Sequence, residues 1–209
     1  MAVINKKTQD IIRVLLNEKD SKITLRELAR RAKVSLGMTV RIVNALESSG
    51  HLEKKRGIKV VNWQGLLKSW AYSVSVKENP RLEFLGAERP QYLIKKISQL
   101  LRKEKYAFTL FSATEIVSPY VAPNKAHLYI KKGSEKKISE IFAKEGIIPA
   151  EEGNIVCYIV DESCFYRSYE ARNVKIISLP QLYADLISYG GRGEEAAEQI
   201  LNLLKKENV

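Results

Sequence analysis

The sequence predicts an α+β protein in which three helices and a two-stranded hairpin precede a mixed α/β domain with a small sheet. Three observations predict this class. Apolar residues recur at helical spacing through the first third, a hairpin rich in Lys and Arg follows the third helical segment, and helical and strand patterns alternate after Pro90. A chain of 209 residues with 45% apolar content is long enough for two small domains. We place them at residues 1–76 and 91–209, with a linker at residues 77–90.

The first two helices are predicted from apolar spacing and from a cap. Thr24 is a good N-cap, and Glu27 stands three residues later at the spacing of a capping box, so the second helix starts there and runs to about Ala32. The first helix carries one apolar stripe, formed by Ile11, Ile12, Leu15 and Leu16.

The third helix follows a short turn at residues 33–35, where Ser35 is placed to cap it. Gly50 ends this helix, and residues 51–62 then form two short strands about a turn at Gly57. Helix, turn, helix and basic hairpin in this order is the plan of a winged helix-turn-helix domain. One face of the third helix is apolar and comprises Thr39, Ile42, Val43 and Leu46, while the other face is polar and small and includes Gly37, Arg41 and Asn44.

Positive charge is concentrated in this first third. Residues 1–77 hold 16 Lys and Arg against 6 Asp and Glu, whereas residues 78–209 hold 19 against 18. A basic module of this kind is typical of proteins that bind a polyanion. The near-neutral remainder is expected to have a different task.

A helix with a small, polar outer face can enter the major groove of DNA, and a basic hairpin can lie along phosphates. Arg41 is the candidate for a base-edge contact, to guanine, and four neighbours shape the approach: Leu36, Gly37, Val40 and Asn44. Ser35, at the start of the helix, is a further DNA-binding candidate. The candidates for phosphate contacts are Arg26, Arg30, Arg31, Lys33, Lys54, Lys55, Arg56 and Lys59. The alternative is a helical bundle for protein contacts, with these cations as solvated surface.

A fourth helix is predicted after Asn62, which can cap it. Its apolar stripe is either a seam between the two halves or a homodimer contact. Pro80, Gly86 and Pro90 break regular structure in the stretch that follows, which is why the linker is placed there. The stripe comprises Trp63, Leu66, Leu67, Trp70, Ala71 and Val74.

The remaining segments alternate between helical and strand patterns. Helices are predicted at residues 92–103 and 135–146, strands at 106–111, 126–132, 154–160 and 174–179, a hairpin partner at 164–169, and two helices at the end. Gly191, Gly193 and Ala196 match the letters of a dinucleotide-binding fingerprint, but that motif needs a preceding strand. Pro180 starts a helix there instead, so we expect a helix end at the glycines and no nucleotide cofactor.

Catalytic and metal-binding patterns are missing from the sequence. Gly133 and Ser134 are not followed by the Asp-x-Asp pair that a nucleotidyltransferase needs for its metal ions, and there is no P-loop, HExxH or GxSxG. The adjacent acids at 151–152 and 161–162 are expected to be solvated, Cys157 and Cys164 reduced, and His51 structural. We therefore predict no enzyme, no cofactor and no metal, with an unrecognised enzyme as the alternative.

Three segments resemble the AbiEi-type antitoxins of type IV toxin–antitoxin systems and regulators built in the same way: residues 26–52, 62–74 and 178–201. The resemblance implies DNA binding at the protein's own promoter. It also implies a C-terminal domain that is similar in shape to a nucleotidyltransferase, is not catalytic, and counters a separately encoded nucleotidyltransferase toxin.

The expected function is a sequence-specific, double-stranded DNA-binding transcriptional regulator that represses its own operon and acts as an antitoxin. The alternative keeps the DNA-binding domain and makes the C-terminal domain a sensor of a small effector. The sequence has no apolar run of about 18 residues and no signal-peptide pattern at its start. We therefore expect a soluble, cytoplasmic protein with no membrane partner.

Overall fold

The computed structural model describes residues 5–206, and the predicted α+β class is confirmed. Helices fill the N-terminal part, and a mixed sheet of seven strands, larger than predicted, forms the centre of the C-terminal part. The outermost residues of both predicted domains, 1–4 and 207–209, lie outside the described residues. Residues 1–4 belong to the N-terminal segment for which no signal peptide is expected.

The three N-terminal helices lie where the sequence predicts them. Asn5 caps the first helix by accepting a hydrogen bond from the backbone N–H of Thr8, and Thr24 caps the second by accepting from the N–H of Glu27 at 3.2 Å. The helices are α1 (Lys6–Asn17), α2 (Leu25–Ala32) and α3 (Leu36–Ser48). Their apolar faces pack on one another, so α1 and α2 fix the orientation of α3.

The basic hairpin, residues 51–62, follows α3. Its strands are β1 (Leu52–Glu53) and β2 (Lys59–Val60), which pair antiparallel around a turn where Arg56 has φ 55° and Gly57 has φ 115°. A bridge between Ile23 and Ile58 adds the segment before α2 to this small sheet. The hairpin is therefore anchored to α2 as well as to the end of α3.

Helix α4 (Trp63–Ala71) joins the two halves of the chain. Asn62 caps it by accepting from the N–H of Gly65 at 2.9 Å, as predicted. Most of its apolar stripe is buried within the chain, where α4 packs on α1 and on α8, while Trp63 and Val74 are partly buried. Of the two roles predicted for the stripe, a seam and a dimer contact, the structure favours the seam.

The large sheet has the strand order β6-β3-β7-β5-β4-β9-β8. β5 runs parallel to β7 and β4 parallel to β9, and the other neighbours are antiparallel. The strands are β3 (Arg81–Leu85), β4 (Tyr106–Phe108), β5 (Ala126–Lys131), β6 (Ile148–Pro149), β7 (Ile155–Val160), β8 (Tyr169–Ala171) and β9 (Val174–Ile176). The accompanying helices are α5 (Pro90–Leu100), α6 (Leu110–Val117), α7 (Glu135–Ala143), α8 (Leu179–Tyr189) and α9 (Arg192–Lys206), with 3-10 helices at Val76–Glu78 and Glu162–Phe165.

Three segments differ from the sequence expectations. Residues 77–90, predicted as a linker, contain β3, which pairs with both β6 and β7 and so belongs to the sheet. Residues 164–169 are not a hairpin partner of β7, because β3 and β5 occupy both of its edges. The structure also contains α6, which the sequence pattern did not predict because most of its residues are buried.

The glycines of the fingerprint-like segment end one helix and start another, as predicted. Gly190 and Gly191 have φ values of 79° and 57° and terminate α8. A dinucleotide-binding turn would require a strand in the place of α8. Gly193 lies in the first turn of α9, where an added Cβ would stand 2.3 Å from the carbonyl oxygen of Leu186. The absence of a side chain thus permits close packing of α8 and α9.

A buried polar group ties α1 to the C-terminal part. The Arg13 side chain is only 4% exposed. Its Nε donates to Oε1 of Gln181 at 2.8 Å, and its Nη1 pairs with Oδ1 of Asp10 at 2.6 Å. Because desolvated charges are stable only when paired and hydrogen-bonded, this arrangement holds α1 against α8 in a defined position. We call these residues, with Asp185, the junction network.

Asp185 forms the inner end of the junction network. It accepts hydrogen bonds from Gln181 at 2.8 Å, from Thr109 at 2.5 Å and from Tyr129 at 2.7 Å. Burial nevertheless raises the pKa of this carboxyl to about 6. Helix α8 is thereby linked to β4 and β5 in the middle of the sheet.

We expect Asp185 to make stability depend on pH. Its raised pKa means that the folded state binds a proton more tightly than the unfolded state, so stability falls as the pH rises from about 4 to about 6. Relative to Asp185→Asn, the wild type should lose about 3 kcal/mol of unfolding free energy across this window. Urea unfolding of both proteins at several pH values measures the difference, and a difference that stays constant with pH would contradict the prediction.

Candidate nucleic-acid interface

Helix α3 presents the face that the sequence analysis selected. Thr39 and Val43 are buried, whereas Arg41 and Asn44 are exposed and Leu36 is 45% exposed on the opposite side. We call this surface the α3 face; its members are Ser35, Leu36, Gly37, Val40, Arg41 and Asn44, with Val40 half-buried. A helix supported from behind by α1 and α2 can offer such a face to a groove without rearranging.

Ser35 occupies the N-cap position of α3 but caps it without its side chain. Its hydroxyl makes no capping hydrogen bond, while its carbonyl oxygen accepts from both the N–H and the hydroxyl of Thr39, at 2.9 and 3.0 Å. The exposed Ser35 hydroxyl and the N–H groups of the first turn therefore stand at a helix N-terminus, a position that favours phosphate.

The basic hairpin lies beside the α3 face and is hydrogen-bonded to it. Lys54 donates to Oδ1 of Asn44 at 2.7 Å and pairs with Oε2 of Glu47 at 2.6 Å. Two predicted contact residues, Lys54 and Asn44, are thus brought together. Three further cations of the hairpin are exposed and make no ion pair among residues 5–206: Lys55, Arg56 and Lys59.

Of the three arginines on α2, Arg30 and Arg31 bind Glu27, whereas Arg26 lies apart from this cluster. Arg26 is exposed, and Arg30 is exposed although it binds both carboxylate oxygens of Glu27, at 2.6 and 2.9 Å. Arg31 binds the same carboxylate, and hydrogen bonds from Arg30 and Arg31 lower the pKa of Glu27 to about 2. The three residues of this cluster lie on adjacent turns of one helix.

Arg31 is placed differently from its prediction as a phosphate contact. Its guanidinium also pairs with Glu18 at 2.8 Å and donates to the hydroxyl of Tyr166 at 3.4 Å, so it points to the C-terminal part. Lys33, at the end of α2, is exposed and lines a cavity of about 280 Å³ that includes Lys105. Both residues therefore lie at the junction between the halves of the chain.

Sequence reasoning missed the partners of Arg31. Glu18 accepts from the hydroxyl of Tyr166 at 2.7 Å and from Arg167 at 2.8 and 3.0 Å, and these donors, with neighbouring cations, lower its pKa despite partial burial. No local pattern marks a contact between residues about 150 positions apart. Only a three-dimensional arrangement identifies Glu18 as the centre of this ion-pair cluster.

The adjacent acids of the C-terminal part are solvent-accessible, as expected. Glu151 and Glu152 are exposed. Asp161 and Glu162 are partly exposed, and in addition Asp161 pairs with Lys6 and Glu162 with Lys131 at 2.7 Å. Cys157 and Cys164 are free thiols, and burial raises the pKa of both. Among residues 5–206, no group of three or more His, Cys, Asp or Glu is arranged to hold a metal ion.

Over the same described range, no helix is long and apolar enough to cross a membrane.

The chemically most distinctive surface is the α3 face with its flanking cations. Arg41 presents a planar donor group suited to guanine, and Asn44 presents an amide suited to adenine. The hairpin supplies positive charge beside them, which suits a phosphate backbone.

One protein-family model matches residues 59–205; its description reads transcriptional regulator, AbiEi antitoxin, Type IV TA system. The match begins at β2 and runs through α4, the sheet and nearly all of α9, whereas α1 to α3 precede it. A search of curated proteins gives no match. The similarity therefore rests on the C-terminal part together with the end of the basic hairpin.

Proposed function

Because the chain belongs to the AbiEi antitoxin family of transcriptional regulators of type IV toxin–antitoxin systems, we propose that it binds double-stranded DNA sequence-specifically, represses its own operon and acts as an antitoxin. The observation that carries the DNA-binding part is the exposed α3 face, with Arg41 at its centre and the basic hairpin beside it. Together these elements form a winged helix-turn-helix domain in this proposal.

Two features support this assignment over a helical bundle with solvated cations. The hairpin is attached to both α2 and α3, through the Ile23 to Ile58 bridge and the Lys54 to Asn44 hydrogen bond, so its cations hold a fixed position relative to the α3 face. The charge is also local, since the first third carries nearly the whole excess of Lys and Arg. A solvating role requires neither feature.

The direct test is binding of the full-length protein to its own upstream DNA and to a random duplex, measured by fluorescence anisotropy at two salt concentrations. We expect tighter binding to the upstream duplex, with a preference that persists at the higher salt because base contacts are less salt-sensitive than phosphate contacts. Equal affinity for both duplexes at each salt concentration would contradict sequence-specific repression.

Arg41→Ala is expected to weaken binding to the best upstream duplex by about 1–3 kcal/mol and to flatten base preference, because a bidentate base contact is lost. Competition with duplexes that differ at single base pairs measures both effects. Arg102→Ala is the matched control, since Arg102 is exposed in the C-terminal part and should not affect DNA. Unchanged discrimination by the Arg41 variant would remove Arg41 from base readout.

Replacing Lys54, Lys55 and Arg56 together by Ala should weaken binding to all duplexes similarly. The slope of log affinity against log salt should fall by roughly one unit per lost phosphate contact. A charge-matched triple replacement by Ala of Lys95, Lys136 and Lys144, exposed on or beside α5 and α7, serves as the control. A slope that does not change would mean that the hairpin does not contact phosphates.

The antitoxin role and the homodimer remain separate proposals. If a nucleotidyltransferase toxin encoded beside this gene arrests cell growth, co-expression of this protein should restore growth. Failure to restore growth would contradict the antitoxin role.

Two half-sites on an operator would require two copies of the chain. Because most of the α4 stripe is already buried within one chain, we expect a dimer to use another surface. Analytical ultracentrifugation with and without operator DNA tests whether a dimer forms.

A further inference from the structure

A second cavity, of about 280 Å³, lies on one face of the large sheet beside the end of α8. Aromatic rings form much of its wall. The imidazole of His127 on β5 lies nearly parallel to the ring of Tyr158 on β7, with centroids 5.9 Å apart, and edge-on to Tyr189 at 5.7 Å. Surfaces of this kind favour a planar ring as occupant.

His127 contributes an unused polar atom. The residue is 2% exposed, its Nδ1 lies 3.3 Å from the hydroxyl of Tyr158, and its Nε2 has no hydrogen-bond partner among the described residues. Burial and the nearby Lys125 lower its pKa to about 4, so the ring is neutral at pH 7. If the Tyr158 hydroxyl donates to Nδ1, Nε2 carries the hydrogen; if Nδ1 donates to the hydroxyl, Nε2 is a bare acceptor. In either tautomer, a buried polar atom without a partner is costly, and a polar ligand atom that reaches it removes that cost.

The rim of the cavity is positively charged. Arg81 and Lys125 each pair with Glu83 at 3.1 Å, and Lys77 lies 4.7 Å above the ring of Tyr189 while donating to its carbonyl oxygen at 2.8 Å. Three cations against one carboxylate leave an excess of positive charge at the opening. An anionic group at the rim would therefore be attracted, whereas a cation would be repelled.

We propose that this cavity binds a small planar anion, a ring that carries one anionic group, as in nucleoside monophosphates or aromatic acids. The ring lies against His127, Tyr158 and Tyr189, a polar atom of the ligand pairs with His127 Nε2, and the anionic group lies between the rim cations. At about 280 Å³ the cavity is slightly smaller than typical ligand pockets of about 300–1,000 Å³, which favours a small ligand. This site is distinct from the α3 face and does not depend on DNA binding.

The position of the cavity links such a ligand to the N-terminal half of the chain. Lys77 belongs to the 3-10 helix Val76–Glu78, which follows α4 and is held to α8 by a hydrogen bond from the N–H of Val76 to the hydroxyl of Ser188, at 3.1 Å. Helices α4 and α8 both pack on α1. A ligand that contacts Lys77 and Tyr189 therefore touches the connection between the two halves.

The test is isothermal titration of the full-length protein with AMP, GMP, CMP, UMP and salicylate, and with adenosine and inorganic phosphate as half-ligands. We expect at least one planar anion to bind, and adenosine and phosphate to bind at least about tenfold more weakly, because each makes only part of the contacts. Binding of a monophosphate assigns the site to nucleotides, and binding of salicylate alone assigns it to aromatic acids.

Two variants and one control complete the test. His127→Phe keeps a ring but removes Nε2, and Lys125→Gln removes one rim cation; each should weaken binding about tenfold or more. Lys136→Gln, an exposed lysine on α7, should bind as the wild type does. The proposal is overturned if no planar anion binds, if phosphate alone binds equally well, or if neither cavity variant changes the affinity. Circular dichroism shows whether each variant remains folded. Affinity for the upstream duplex, measured separately, distinguishes failure of the ligand-binding proposal from failure of the DNA-binding proposal.

Discussion

Replacing Arg13 by Ala is expected to lower the free energy of unfolding by about 3–5 kcal/mol, because it leaves buried partners without their cation. Arg13 is buried between α1 and α8, where it is bound to Asp10 and Gln181. Its guanidinium also lies 5.5 Å from the ring centroid of Trp70, so the same change removes a cation–π contact.

Urea unfolding measures this loss, with Arg102→Ala as an exposed control that should change stability by about 0.5 kcal/mol or less. The double variant with Asp10→Ala should cost less than the sum of the two single changes, because Asp10 loses its partner in either case. An Arg13→Ala protein as stable as the wild type would mean that the junction network does not hold the two halves together.

Trp70→Ala should also destabilise the protein, by about 3–5 kcal/mol, because a large apolar side chain is removed from a site with no solvent exposure. Trp70 lies on α4, which packs on both α1 and α8. The cavity left behind would therefore weaken the seam between the halves in addition to the local core. Fluorescence is less suitable than circular dichroism as the readout, since Trp70 is one of only two tryptophans.

Trp70→Phe provides the matched comparison, since it keeps an aromatic ring in the same place and should cost less than Trp70→Ala. We also expect each single variant to unfold in one transition, because one hydrophobic cluster runs through both halves. Two separate transitions in the wild type would contradict a shared core. They would instead indicate that the two halves unfold independently and that α4 only connects them.

Short-range signals made most of the fold predictable. Thr24 and Asn62 are recognisable as caps because the side-chain acceptor and the backbone donor that it binds lie three residues apart. Gly190 marks a helix end because few other residues adopt its positive φ without strain. Each of these signals depends only on neighbours in sequence, which is why composition and spacing suffice to find them.

Two elements lacked such signals. Strand β3 lies between Pro80 and Gly86, and these breakers suggested a linker, although the five residues between them pair on both edges with distant strands. Helix α6 is buried over its first five residues, from Leu110 to Thr114, so it shows no polar face and no helical period. Burial on all sides removes the pattern on which sequence reasoning relies.

The candidate site was predictable in position but not in its internal contacts. The α3 face follows from helical periodicity, whereas the roles of Arg31 and Lys54 depend on which acids the fold brings to them. Arg31 pairs with Glu18 and reaches Tyr166 of the C-terminal part, and Lys54 of the hairpin pairs with Glu47 on α3. The sequence does not distinguish one lysine or arginine from another. Only the folded structure shows which of them are exposed and available for DNA and which already form ion pairs within the chain.

The distance in sequence between α1 and its partners has a consequence for synthesis on the ribosome. Lys6 and Arg13 bind Asp161 and Gln181, which are 155 and 168 positions further along the chain. At about 5–20 residues per second, the ribosome needs roughly 10–30 s to add the segment between Arg13 and Gln181. During this interval α1 can pack on α2 and α3, but α1 and α4 have no α8 to cover them, so their contacts with the C-terminal part are among the last to form. A chain that stops before residue 179 therefore leaves apolar surface available to chaperones and proteases.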